Sequence, residues 1–102
     1  MNWKVEFIDA ARRDMKKLDD SQRVLVLKAI EKVRQNPTAD GYETPLGSKG
    51  QTNLTGLFKI KLRKSGIRIV YQLVEVDGIM KIIVVGMRAD NEVYREASRR
   101  MG

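Results

Sequence analysis

Lys59, Lys61 and Arg63 alternate with Phe58, Ile60 and Leu62, and Arg68 and Arg88 follow in the next two apolar runs. On an extended strand, alternate side chains share a face roughly 7 Å apart, because the backbone rises ~3.3 Å per residue. Two or three cations at that spacing can grip one phosphate group and its neighbours. No carboxylate is interleaved with Lys59, Lys61, Arg63 and Arg68 on that face, and like charges opposed across a strand pair repel. The bland reading of Lys59-Ile60-Lys61 is a solvated strand face that resists edge-to-edge aggregation. Arg68 and Arg88 in the same neighbourhood set an anion site beside it. Arg88 lies just past the end of its run, where alternation no longer fixes its direction. Tyr94, in the first turns of a C-terminal helix, reads either as a core or capping residue or as a ring on which a nucleobase can stack.

The chain holds no His and no Cys. That excludes zinc–thiolate sites, a thiol nucleophile and the usual near-neutral proton shuttle. Acid–base chemistry must then come from Lys, Arg, Tyr or carboxylates whose pKa values are displaced from their ordinary positions. No metal and no cofactor are expected. Twenty Lys+Arg against 13 Asp+Glu leave a net charge of +7, which points to a polyanionic partner. At 102 residues the chain has apolar surface for one core only, so residues 1–102 read as a single domain. Charges at alternate positions from Lys4 onward exclude a signal-peptide block, and Ile82–Met87 is far shorter than the ~20 residues of a membrane span. A soluble, cytoplasmic protein is expected.

The elements that must position these residues follow from apolar spacing. Trp3, Val5 and Phe7 alternate as a strand does. Asp9 can cap a helix with Ala11, Met15 and Leu18 on one face, and Asp20-Ser21 supplies a turn and a second cap. The next helix would bury Val26, Leu27, Ile30 and Val33 and end at Asn36-Pro37. Residues 37–53 contain both prolines and no apolar period, and read as a long surface loop. Strands are expected over 57–63, 67–76 and 79–87, the last apolar on both faces and therefore interior. Asp90 would cap a short helix striped by Val93, Ala97 and Met101. The fold class is α+β: an N-terminal strand, two helices, a three-stranded antiparallel meander and a C-terminal helix, stacked as a sandwich.

Asp77-Gly78 reads as a two-residue hairpin turn, which sets Val76 opposite Ile79 and Arg68 opposite Met87. A two-residue turn at Ser65-Gly66 sets Arg63 opposite Arg68, Lys61 opposite Val70 and Lys59 opposite Gln72. One sheet face then carries Phe58, Ile60, Leu62, Ile67, Ile69, Tyr71, Leu73, Ile82 and Val84 toward the helices. The other carries the cations.

Two segments carry a family resemblance. The stretch from Phe58 to Gln72, FKIKLRKSGIRIVYQ, resembles the central hairpin of RelE toxins, and VGMRADNEVY, Val85 to Tyr94, resembles their C-terminal signature. RelE toxins belong to the RelE/ParE superfamily of type II toxin–antitoxin systems, with a microbial-RNase-like sandwich fold. The resemblance implies a metal-independent, ribosome-dependent mRNA endonuclease that cuts the codon in the ribosomal A site and so inhibits translation. It implies a catalytic set of Lys59, Lys61, Arg68, Arg88 and Tyr94, with Arg63, Lys64 and Arg95 as further RNA contacts. Implied partners are the ribosome with its 16S rRNA, the A-site mRNA, and an acidic antitoxin from the same operon. The loop over 37–53 departs from the pattern in length, which bears on codon preference and ribosome docking.

In the implied reaction the ribose 2′-hydroxyl attacks the adjacent phosphate, leaving a 2′,3′-cyclic phosphate and a 5′-hydroxyl. Lys59 is assigned as general base, with Lys61 the other candidate; Lys61 and Arg68 hold phosphate oxygens. Arg88 stabilises or protonates the leaving 5′-oxygen, and Tyr94 orients a base. A lysine acting near pH 7 must fall about 3 pH units from its ordinary ~10.4, a cost of about 4 kcal/mol, and crowding by like charge acts in that direction. The thin stripe of the terminal helix and its Arg95, Arg99 and Arg100 predict a marginally docked element that an antitoxin displaces. The alternatives are a ParE-like toxin that inhibits DNA gyrase and a non-catalytic RNA-binding module.

Overall fold

The computed structural model describes residues 3–36, 43–49, 52–87 and 89–101, of which 43–49, 52–56, 90 and 91 are followed as backbone. The elements run β1 (Lys4–Phe7), α1 (Asp9–Lys16), α2 (Asp20–Val33), β2 (Glu43–Lys49), β3 (Thr52–Leu62), β4 (Ile67–Val74), β5 (Ile79–Gly86) and α3 (Asp90–Met101). The described strands form one sheet in the order β1-β5-β4-β3-β2. β1 runs parallel to β5, and the remaining neighbours are antiparallel. β5 is thus interior, as its two apolar faces demand.

The α+β class and the element order match the expectation, with one strand more. Residues 43–49 are not loop but β2, and β3 begins at Thr52, within the stretch read as loop. β2 hid because it lies at the sheet edge, where no apolar alternation is needed and a proline costs little. Pro45 stands opposite Phe58, and the register slips between Leu46 and Ser48. The rest of that predicted loop, 37–42 with 50 and 51, lies outside the described residues.

Helix starts also shift by one residue. Ile8, not Asp9, is the N-cap of α1, and it makes no side-chain cap bond. Asp19 rather than Asp20 or Ser21 caps α2, accepting from the Gln22 N–H at 2.8 Å while Gln22 returns a bond to the Asp19 N–H at 2.9 Å. Val26, Ile30 and Val33 are buried as expected, but Leu27 is 51% exposed.

Both β3–β4 and β4–β5 connections are four residues long rather than two. Leu62 pairs with Ile67 and Val74 with Ile79; Gly66 and Gly78 take positive φ, 77° and 65°, and no other of the described residues does. Asp77 therefore sits in a 3₁₀ turn, Glu75–Asp77, not at a positive-φ turn position. Each register is displaced by two at the turn, so side chains keep their predicted faces while their partners change. Lys61 opposes Arg68 and Lys59 opposes Val70.

A bulge in β5 changes the face once. Tyr71 pairs with Ile82 but Val70 with Val84, so Ile83 is the extra residue and the strand beyond it is turned over. Val84 consequently leaves the α1/α2 face, where it was expected, and Val85 takes its place. Two core layers result. Ile60, Ile67, Ile69, Tyr71, Met80, Ile82 and Val85 pack with Ala11 of α1, Leu18 between the helices, and Val26, Ile30 and Val33 of α2. On the opposite side Leu57, Val70, Ile83 and Val84 pack with Val93, Tyr94 and Ala97 of α3.

Candidate active site

The cationic face of the sheet is the face that α3 covers in part. β3 projects Lys59 and Lys61 two residues apart on that face, and β4 returns Arg68 directly opposite Lys61, a pairing in which Cβ atoms stand ~5 Å apart. The Arg68 Nη1 donates to the Gly66 carbonyl at 3.0 Å, which draws the guanidinium toward the β3–β4 turn. The Lys59 amine sits 5.6 Å from the centroid of the Tyr94 ring, within reach of the attraction between an ammonium and an aromatic face. Lys59, Lys61, Arg68 and Tyr94 thus share one surface, spanning two strands and one helix.

Tyr94 is 5% exposed. It belongs to the core layer beneath α3, and its ring is turned to Lys59 rather than open to a nucleobase. The core reading of Tyr94 holds in this conformation, and base stacking requires α3 to shift. Arg88 lies outside the described residues. Arg63 and Lys64 occupy the β3–β4 turn, both exposed, and rim a groove of about 560 Å³ against α2. Its rim also carries Lys28 and Lys32, one helical turn apart, and its floor includes Leu25 and Val33. Lys28 and Lys32 extend the basic surface in a way that sequence reading missed, although their i, i+4 spacing is the signal that could have found them. Arg95 is exposed on α3.

The terminal helix is held far more firmly than its stripe suggested. Met101 is 42% exposed, but Tyr94 joins Val93 and Ala97 in the core. Arg100, one of the three arginines of this helix, is paired: its Nη1 and Nη2 donate to the two Asp14 carboxylate oxygens at 2.7 and 3.1 Å, and its Nε to Glu96 at 2.7 Å. These contacts, the Asp14 bond first, raise the Arg100 pKa further above its ordinary value against the opposing effect of burial. Arg99 also bonds Glu96, and the two guanidiniums hold the Glu96 carboxyl below the usual glutamate range, Arg99 contributing most. The expectation of marginal docking is corrected on these contacts. Asp14 was also missed; a carboxylate among Ala11, Met15 and Leu18 in an apolar stripe signals a buried cationic partner.

Among the described residues, no group of His, Cys, Asp and Glu is placed to hold a metal ion, and no helix is long and apolar enough to cross a membrane.

This arrangement has known counterparts. No family model matches the chain. A putative RelE-like toxin protein of Escherichia coli is 33% identical over 101 residues, 99% of each chain. The mRNA interferase toxin RelE of Escherichia coli K12 is 30% identical over the same span. The chain belongs to the RelE toxin family. Among solved structures, a mutant of E. coli RelE in the free state superposes with a TM-score of 0.78 at 29% identity, covering all of both chains. The toxin of the intact E. coli RelBE toxin–antitoxin complex superposes with a TM-score of 0.68 at 26% identity, over 85% of this chain and 98% of that one. These superpositions extend to the order of helices and strands described above.

Proposed function

We propose that this RelE-family chain is a single-domain cytoplasmic mRNA interferase: an endoribonuclease that cuts mRNA in the ribosomal A site and thereby halts translation. The observation that carries this reading is the shared surface of Lys59, Lys61 and Arg68, with the Tyr94 ring set against the Lys59 amine. A phosphodiester placed there meets cations from two strands, which stabilise the extra negative charge of a pentacoordinate phosphorus as it forms.

Bond by bond, the 2′-oxygen attacks phosphorus, its proton passes to the amine of Lys59 or Lys61, and the bond to the 5′-oxygen breaks. The leaving oxygen takes up a proton, so the products are a 2′,3′-cyclic phosphate and a 5′-hydroxyl. Arg68 and the second lysine hold the non-bridging oxygens. Arg88 is assigned to the leaving oxygen, where a guanidinium acts as a fixed charge, since it holds its proton too tightly to donate it. Tyr94 first fixes Lys59. Arg63, Lys64 and Arg95, with Lys28 and Lys32, supply contacts to 16S rRNA and message. An acidic antitoxin restrains the toxin, as the antitoxin partner in the E. coli complex suggests.

The gyrase-directed alternative is not favoured, because relatives matched across nearly the whole chain are named mRNA interferases. Primer extension on a translated message, with toxin added to programmed ribosomes, tests the proposal. Stops within the A-site codon are expected. Intact message beside arrested DNA replication would favour the gyrase target, and ribosome binding without cleavage would favour a binding module.

A further inference from the structure

We infer that Asp14 and Arg100 form a positioning clamp that fixes Tyr94, and through it Lys59, by locking α3 across an unpaired stretch of β5. As a statement about catalysis, this rests on the nuclease reading above. β1 pairs with β5 only from Ile79 to Ile82, so among the described residues the ladder groups of Ile83 to Val85 on that side have no strand partner. The clamp supplies one. Asp14 Oδ2 accepts the Val85 N–H at 3.0 Å, and Arg100 Nη1 donates to the Ile83 carbonyl at 2.7 Å. The two side chains, 8% and 13% exposed, join each other with both guanidinium nitrogens. One polar unit therefore ties α1, the β5 bulge and α3 together at the point where the strand turns over.

Arg100 lies six residues beyond Tyr94, about 9 Å along a rigid helix. Val93 and Ala97 let α3 rest on the sheet, but apolar contact is non-directional and does not set the rotation or the height of the helix. A bidentate pair does both. The ring of Tyr94 is held 5.6 Å from the Lys59 amine by that setting. Asp14 and Arg100 touch no reacting atom in this scheme and act only through Tyr94 and Lys59.

The test uses the full chain with Arg100→Lys, which keeps a charge but loses the fork, and Asp14→Asn. Ile30→Val, in the other core layer, controls for lost stability alone. The ring of Tyr94 shifts the Lys59 side-chain proton resonances upfield. Both clamp variants are expected to lose most of that shift, while Ile30→Val keeps it at a similar melting temperature. In single-turnover cleavage on programmed ribosomes, the clamp variants should lose roughly tenfold or more in maximal rate, with half-saturating ribosome concentration kept within about twofold. Lys59 resonances unchanged in both variants would overturn the clamp, whatever the melting temperature does. If the resonances move but the wild type cuts no message, the nuclease reading fails and the clamp stands. If Asp14→Asn does not fold, Arg100→Lys decides alone.

Discussion

Replacing Lys59 or Lys61 with Met removes an amine and keeps most of the side-chain volume, so the two variants separate a proton acceptor from a phosphate holder. Loss of the acceptor should lower the single-turnover rate by about 10² to 10⁴, the range for general acid–base groups, and abolish the dependence of rate on pH between 6 and 9. Loss of a holder should lower the rate while leaving that pH profile in place. Identical, pH-dependent profiles for both variants would contradict either lysine as the base. Tyr94→Phe keeps the ring beside Lys59 and is expected to stay within about threefold of wild type, whereas Tyr94→Ala should lose far more. A large loss in Tyr94→Phe would show that the hydroxyl, not the ring, does the work. That Lys59, Lys61 and Arg68 share a face was legible in the sequence because alternation fixes faces even when partners are misjudged. The buried Tyr94 ring was not, because a lone aromatic in an amphipathic helix reads equally well as core or as surface.

At the level of elements, what escaped the sequence has specific causes. Both hairpins use four-residue connections ending at a glycine, and their displacement by two leaves every face intact. The β5 bulge does not, since one extra residue, Ile83, moves Val84 to the other core layer. Nothing in Ile82-Ile83-Val84-Val85 marks that point, because all four residues suit either side. β2 was invisible for a related reason: an edge strand containing Pro45 carries neither period nor propensity. Gly78 offers a direct check on the turn. At φ 65°, with nothing within 4 Å of where a Cβ would stand, its replacement by Ala meets conformational strain alone. Gly78→Ala should destabilise by about 1–2 kcal/mol, read from the urea midpoint. An unchanged midpoint would contradict the left-handed turn.

Across the whole molecule, charge sets how stability depends on pH. The Glu96 carboxyl is held below its ordinary ~4.3 when folded, so its contribution is present above that pH and is lost as pH falls through the lower folded value. Asp19 acts in the same direction, held down chiefly by the Gln22 N–H. Arg100 shifts upward, so its own charge is kept through the acid and neutral range and is lost only in strong alkali. Stability should therefore decline from just above pH 4 downward. Urea midpoints at pH 6, 4 and 3 check this, and Glu96→Gln should flatten the decline; an equally steep decline in that variant would contradict the assignment. A net charge of +7, with five cations on the β3–β4 hairpin (Lys59, Lys61, Arg63, Lys64 and Arg68), predicts ribosome affinity that falls steeply with salt, in proportion to the phosphates neutralised.

The central claim is that cations on one sheet face hold a phosphodiester while its own 2′-oxygen attacks. The most direct measurement gives the toxin programmed ribosomes whose A-site codon carries either ribose or 2′-deoxyribose on the 5′ side of the scissile phosphate. The all-ribose message should be cut to a fragment ending in a 2′,3′-cyclic phosphate, and the 2′-deoxy message should remain whole. Equal cutting of both messages at that linkage would contradict the account.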